Sequence, residues 1–218
     1  MPSVMIIGAS RGIGLGFVQA YAAADGWQVH ATTRTPDAPG ELGEVDGDVS
    51  LYELDVSNSA HINNLAAAFA DRALDVLIHN AGVYGTGMSR DMVLTINAEA
   101  PFKVIEALMP ALERGRDKKI AILSSHMGAR NGGPTPTNVY GASKAALNDR
   151  YREIEPQWRA RGIKSVMFHP GWVQTSMGGS GASLPVADSV RGMRQVISML
   201  RADESGKFLD WQGKELSW

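Results

Sequence analysis

Val4-Met5-Ile6-Ile7-Gly8-Ala9-Ser10-Arg11-Gly12-Ile13-Gly14 is the stretch that decides the architecture. Four consecutive apolar residues predict a strand buried on both faces. From Ile13 to about Asp25, apolar and alanine residues recur at helical spacing. A strand that turns through glycines into a helix is the opening unit of a wound parallel sheet. Glycines let the chain turn tightly there, and a helix N-terminus presents amides and a favourable dipole end to an anion, so a pyrophosphate is the expected occupant. The spacing is G-x-x-x-G-x-G rather than G-x-G-x-x-G, and a tight turn without ligand is the competing reading.

Further along, short apolar runs alternate with helical patterns. Strands are predicted at Gln28–Thr33, Val49–Leu54, Leu74–His79, Ile120–Ser124, Lys164–His169 and, short, Lys207–Asp210. Helices are predicted at Ser59–Ala70, with Ser57 or Ser59 as N-cap, at about 92–114 with bends near Pro101 and Pro110, at about 139–161 and at Pro185–Leu200. Segments 35–48, 128–138 and 174–184 read as loops. The alternation predicts an α/β chain: a single-domain Rossmann fold over 1–218, with a doubly wound, mostly parallel sheet of about seven strands and helices on both faces.

The 218 residues carry 21 basic and 23 acidic side chains, a net charge of -2. That balance implies no charge-driven binding to nucleic acid or anionic membrane. With no cysteine, disulfides and thiolate chemistry are excluded; no metal site is expected. No apolar run approaches the roughly 20 residues of a membrane span. The strand pattern beginning at Val4 leaves no room for a leader peptide, so a cytoplasmic location is expected. The charged run Arg114–Lys119 reads as a solvated turn.

Two further features carry chemistry. Where an NAD site places an acid on the ribose 2'-hydroxyl, this chain has Thr32-Thr33-Arg34-Thr35, and its first acid is Asp37. Arg34, with Arg11, suits a 2'-phosphate, so NADP(H) is expected in preference to NAD(H), which remains possible. Tyr140-Gly141-Ala142-Ser143-Lys144 puts a phenol and an ammonium on one helix face. The cation is expected to lower the tyrosine pKa and make it a usable proton donor or acceptor.

These features fall into an ordered set. Gly8, Gly12 and Gly14 follow the first strand, Asp55-Val56 the third and Asn80-Ala81-Gly82 the fourth. Asn97 lies in the long helix and Ser125 after the fifth strand. Tyr140 and Lys144 come next, then Pro170-Gly171 and Thr175 after the sixth. In this the whole chain resembles the short-chain dehydrogenase/reductase family. Its length, the run Pro170–Gly179 and the C-terminal segment from Gly206 are similar to the C-factor and sniffer-like carbonyl reductases. It departs from the family pattern in Ile7 before the first glycine, in His79 before Asn80, read as a packed strand-end histidine, and in a longer Ser125–Tyr140 interval with extra residues at Asn131–Pro134. Ser124 or Ser125 could face the substrate; Ser125 matches the family's second serine.

The resemblance implies an oxidoreductase moving hydride between nicotinamide and a carbonyl or alcohol. Tyr140 would be the acid/base, Ser125 a hydrogen-bond donor to the carbonyl oxygen, Lys144 the ribose ligand and Asn97 the holder of a water that resupplies protons. Gly8, Ser10, Arg11, Gly12, Ile13, Gly14, Arg34, Asp55, Val56, Asn80, Ala81, Gly82, Tyr140, Lys144, Pro170, Gly171, Val173 and Thr175 would line the cofactor. Tyr84, Met88, His126, Met127, Trp172 and Met177 would make an apolar wall for a small carbonyl compound. The loop at 174–184 would be the substrate loop, mobile without cofactor. A homodimer or homotetramer through the helices at about 92–114 and 139–161 is implied. The rivals are a dinucleotide-binding signalling protein of C-factor type and a dehydratase or epimerase; extended forms of the latter carry a substrate domain for which 218 residues leave no room.

Overall fold

In a computed structural model, described for residues 1–131 and 138–218, seven strands form one sheet. They are β1 (Ser3–Ile7), β2 (Gln28–Thr33), β3 (Val49–Glu53), β4 (Val76–His79), β5 (Lys119–Leu123), β6 (Lys164–His169) and β7 (Lys207–Asp210). The order is β3-β2-β1-β4-β5-β6-β7, and every pairing is parallel. The chain winds outward from β1 on one side and from β4 on the other. The crevice beyond the C-terminal ends of β1 and β4 is therefore the switch point where such sheets take ligands.

Alternate strand residues serve opposite faces. Val4 and Ile6 join Val18 of α1 (Gly12–Ala22) and Val190 of α6 (Val186–Met199). Met5 and Ile7 join Leu65 of α2 (Ser59–Ala68), Ile105 of α4 (Ala100–Arg114) and Tyr151 of α5 (Val139–Ala160). Full burial of both faces is why the central strands β1, β4 and β5 read as mostly apolar runs.

The local structure departs from the sequence expectations in four places. Segment 35–48 is not all loop: a 3-10 turn at Gly40–Glu44 buries Leu42, too short a unit for periodicity to show. The N-cap of α2 is Asn58, whose Oδ1 accepts from the amides of Ala60 and His61. Arg114 donates to the carbonyls of Phe69 and Arg72, and buried Lys119 to that of Ser198, so the charged run closes helix ends as well as meeting water. The long helix begins earlier, as α3 (Arg90–Leu94) capped by Ser89, and its irregularity is a π turn at Thr95–Glu99. Pro101 sits in the first turn of α4, and having no N–H it cannot bond the carbonyl of Asn97 four residues back. The wider turn just before it absorbs that defect and brings Asn97 inward, fully buried. Of the extra residues expected at Asn131–Pro134, Asn131 donates its amide to the Trp218 carbonyl at 2.6 Å, and 132–134 lie outside the described residues.

No helix among the described residues is long and apolar enough to cross a membrane.

Candidate active site

The glycine turn is built by close approach. Gly8 has φ +81°, and a Cβ there would stand 2.7 Å from Ala81 Cα. A Cβ on Gly14 would stand 2.1 Å from the carbonyl oxygen of Gly8 and 2.7 Å from Nδ2 of Asn80. Asn80 Nδ2 donates to that same carbonyl at 2.7 Å, and the amides of Asn80 and Ala81 donate to the carbonyl of Ile7. The turn is therefore pinned to the end of β4. Arg11, at the N-cap of α1, has an extended backbone and makes no side-chain cap, and no acid occupies the first turn. The leading amides of α1 thus face an exposed Ser10 and Arg11. An anionic diphosphate fits this cradle: small residues clear the space and uncapped amides supply donors.

Around it, Arg34 is exposed at the end of β2 and makes no ion pair among the described residues, as is true of Arg11. Asp55 Oδ1 accepts from the amide and hydroxyl of Ser57, which hold its carboxyl below the usual range, with nearby Arg34 adding to the effect. Val56 beside it is buried. Thr175 reaches back to the glycine turn, since a Cβ on Gly12 would stand 3.1 Å from its Cγ2. Pro170 is tied to α6 through the Ser189 hydroxyl, and Val173 pairs with Leu184.

The proton-active groups gather next to Gly82, where a Cβ would lie 3.2 Å from Asn97 Oδ1 and 3.6 Å from Lys144 Nζ. Asn97 Oδ1 accepts from Val83 N at 2.8 Å, while its Nδ2 donates to Val83 O at 2.8 Å and to Ser143 Oγ at 2.9 Å. Ser143 in turn donates to Tyr140 O at 2.7 Å. Lys144 is 4% exposed. Its Nζ donates to Leu123 O at 2.9 Å and lies 5.9 Å from the centre of the Tyr140 ring. It has no carboxylate partner among the described residues, and burial pulls its pKa down to about 8.

Tyr140 differs from expectation: its pKa is raised, not lowered. Burial is the main cause, the Ser125 hydroxyl opposes it, and Tyr84 adds to it. Lys144, whose Nζ lies 5.9 Å from the ring centre, does not offset it. The cost of desolvating a phenolate then dominates.

The two serines separate cleanly. Ser124 Oγ donates to Asn148 Oδ1 at 2.6 Å beneath α5, whereas Ser125 sits beside the Tyr140 phenol and its Oγ accepts from Met127 N at 3.1 Å. His79 is a packed histidine: its Nε2 is buried without a partner, and burial, then Lys144, push its pKa down to about 3.

At the rim, Tyr84 stacks on Tyr140, with centroids 5.1 Å apart and planes at 30°. Met127 and His126 follow Ser125, and His126 lies 5.9 Å from the ring of His169. Met88, Trp172 and Met177 are exposed, and among the described residues no ring stacking joins Trp172 to Tyr140. The 174–184 loop is laced by hydrogen bonds. Gln174 N donates to Leu184 O, Leu184 N to Trp172 O, Gly178 N to Thr175 Oγ1, and the Trp172 indole to Gly178 O at 2.8 Å. Three members of the site escaped the sequence reading: Ser143, Asn138 and the stacking of Tyr84. Asn directly before a helix was the available signal for Asn138.

The family model for short chain dehydrogenase matches residues 2–183. The chain is 43% identical over 157 residues to the C-signal protein of Myxococcus xanthus, covering 66% of this chain and 93% of that one. The structure superimposes on the NADPH bound carbonyl reductase from chicken fatty liver with a TM-score of 0.88 at 32% identity, covering 100% of this chain and 94% of that one. It matches the carbonyl reductase Sniffer of D. melanogaster with a TM-score of 0.88 at 28% identity over 100% of both chains. The chain belongs to the short chain dehydrogenase family and is an oxidoreductase of that class, with relatives among the C-signal and carbonyl reductase branches.

Proposed function

We propose that this short chain dehydrogenase is an NADP(H)-dependent carbonyl reductase in which Tyr140 is the proton donor. One observation carries the reading: a buried lysine without a counter-ion among the described residues lies under a half-buried tyrosine whose hydroxyl neighbours Ser125, all next to the glycine cradle. Burying Lys144 without an opposing charge is costly and needs a functional return.

The cofactor, when bound, supplies a hydride from its nicotinamide ring to the carbonyl carbon. Tyr140 gives its phenolic proton to the carbonyl oxygen as negative charge grows there, and Ser125 hydrogen-bonds the same oxygen. One such preorganised donor is worth about 3 kcal/mol. Lys144 holds the nicotinamide ribose hydroxyls and returns a proton to Tyr140. Asn97 keeps Val83 and Ser143 in register and orders the water that supplies Lys144. Ser10, Arg11 and Ile13, with Gly8, Gly12 and Gly14, take the diphosphate. Asp55 and Val56 take the adenine; Asn80, Ala81 and Gly82 line its ribose; Pro170, Gly171, Val173 and Thr175 meet the nicotinamide side.

Arg34, exposed where a dinucleotide 2'-phosphate would lie and free of any ion pair among the described residues, supports NADPH over NADH, in line with the chicken carbonyl reductase named above. Tyr84, Met88, His126, Met127, Trp172 and Met177, with the 174–184 loop, would enclose a small apolar aldehyde, ketone or quinone. The whole of 1–218 acts as one catalytic domain, paired with further copies through α4 and α5. The test is consumption of NADPH and of NADH, followed by absorbance, across a panel of such compounds. NADPH-favoured turnover is expected; no turnover, or equal use of NADH, counts against the reading. The 43% identity to C-signal favours a second reading, a dinucleotide-binding signal protein acting through partners, for which binding without turnover would speak.

A further inference from the structure

Tyr84 sits on the loop after β4, and the contacts around it close a ring. Its aromatic face stacks on Tyr140 at 5.1 Å between centroids. Its hydroxyl accepts from Asn138 Nδ2 at 3.2 Å. Asn138 Oδ1 accepts from Gly141 N at 2.8 Å and so caps the first turn of α5, the turn that carries Tyr140. On the other side, Val83, the residue before Tyr84, is gripped by both arms of the Asn97 amide. Asn97 also donates to Ser143, and Ser143 donates to the carbonyl of Tyr140. Starting at Tyr140, the path runs through Ser143, Asn97, Val83, Tyr84 and Asn138 and returns to the α5 turn. Every link is a hydrogen bond, a stack or a peptide bond.

We propose that Tyr84 is a positioning residue that closes this ring and clamps the Tyr140 phenol in its reactive rotamer, rather than a passive part of the substrate wall. The inference rests on Tyr140 being the proton donor. A tyrosine at a helix start has two free torsions, and its hydroxyl sweeps several ångströms as they turn. Ser143 and the α5 cap hold the backbone of Tyr140, and the Ser125 hydroxyl holds the far end of its phenol, which leaves the tilt of the ring between them to be set by what lies on its face. Tyr84 covers that face. It also keeps water from it, and it adds to the upward shift of the Tyr140 pKa that burial begins. The ionisable groups facing the phenol are Tyr84 across the stack and Lys144 beneath it. Tyr84 is itself 47% exposed, so trimming it opens no interior cavity.

The experiment compares Tyr84→Ala and Tyr84→Phe with the wild type. In each background a partner carrying Tyr140→Phe is made, so that the phenolate absorbance of Tyr140 alone is read by difference during an alkaline titration. Kinetic constants are measured with two carbonyl substrates of different shape. A loosened phenol predicts a kcat loss of about tenfold for Tyr84→Ala with both substrates, since small misplacements of reacting groups cost about one to two orders of magnitude. It also predicts that the Tyr140 titration moves to lower pH. Tyr84→Phe keeps the stack but loses the hydroxyl that meets Asn138 and the charge of the second phenol, so it recovers part of the kcat and little of the titration shift. A rise in KM that depends on the substrate, with kcat and the Tyr140 titration unmoved, would overturn the proposal and leave Tyr84 as wall. The titration needs no turnover, so it reports on the clamp even if Tyr140→Phe proves active and the proposed function fails.

Discussion

Replacing Lys144 by methionine is expected to make the protein more stable at pH 7. Lys144 is buried, and its pKa falls from 10.5 in the unfolded chain to about 8 in the fold. At 1.36 kcal/mol per pH unit, holding the ammonium protonated inside the fold costs about 3 kcal/mol wherever both states are charged. Methionine fills similar space without that cost. It abandons the hydrogen bond to Leu123 O, and an unpaired buried carbonyl costs about 1–3 kcal/mol. The net gain at pH 7 is thus about 1 kcal/mol. Its pH dependence is more telling than its size. Between pH 8 and 10.5 the unfolded wild type keeps the proton that the folded form has lost, so wild-type stability rises with pH through that window. The variant has no such group. The stability difference between the two, from urea unfolding at matched pH values, should swing by about 3 kcal/mol in favour of the wild type from pH 7 to 10.5. Other titrating groups are common to both proteins and cancel. A difference that stays constant across that range would refute the claim that Lys144 is a desolvated, strained cation. Turnover should be lost in the same variant.

Gly14→Ala should lower stability by about 2–4 kcal/mol, because its Cβ would meet the Gly8 carbonyl at 2.1 Å with no flexible atom to yield; thermal unfolding reads this, and calorimetry should show dinucleotide binding lost with it. Arg34→Ala should reduce kcat/KM for NADPH by about 10–100-fold, the worth of a charged hydrogen bond, and leave the NADH value nearly unchanged. Asn138→Ala removes the α5 cap and should cost about 1 kcal/mol, a fall in Tm of about 2–4 °C.

The sheet was legible because burial on both faces turns its central strands into mostly apolar runs, and because the glycine turn marks where the first strand ends. Gly8, Gly14, Asn80 and Ala81 are close in sequence to strand ends, so a topology brings them together without knowledge of side chains. What stayed hidden depends on three-dimensional accounting. The π turn at Thr95–Glu99 arises from a missing donor at Pro101, and a proline in a helical pattern suggests a bend without saying where it is absorbed. The direction of the Tyr140 pKa differs from the expectation because spacing shows that Lys144 is near but not how dry the phenol is. The lacing of 174–184 rests on one indole N–H and a Val173–Leu184 bridge, in a segment whose small residues suggest looseness.

The central claim is that Tyr140 supplies the proton while the rest of the site binds. Stopped-flow single turnover of Tyr140→Phe with stoichiometric NADPH and an active carbonyl compound tests it directly. The variant should bind NADPH with an affinity within about threefold of wild type, a difference below 1.4 kcal/mol. It should leave the absorbance of the reduced cofactor intact on the timescale in which the wild type consumes it. Oxidation of the cofactor by the variant at a rate near that of the wild type would contradict the account.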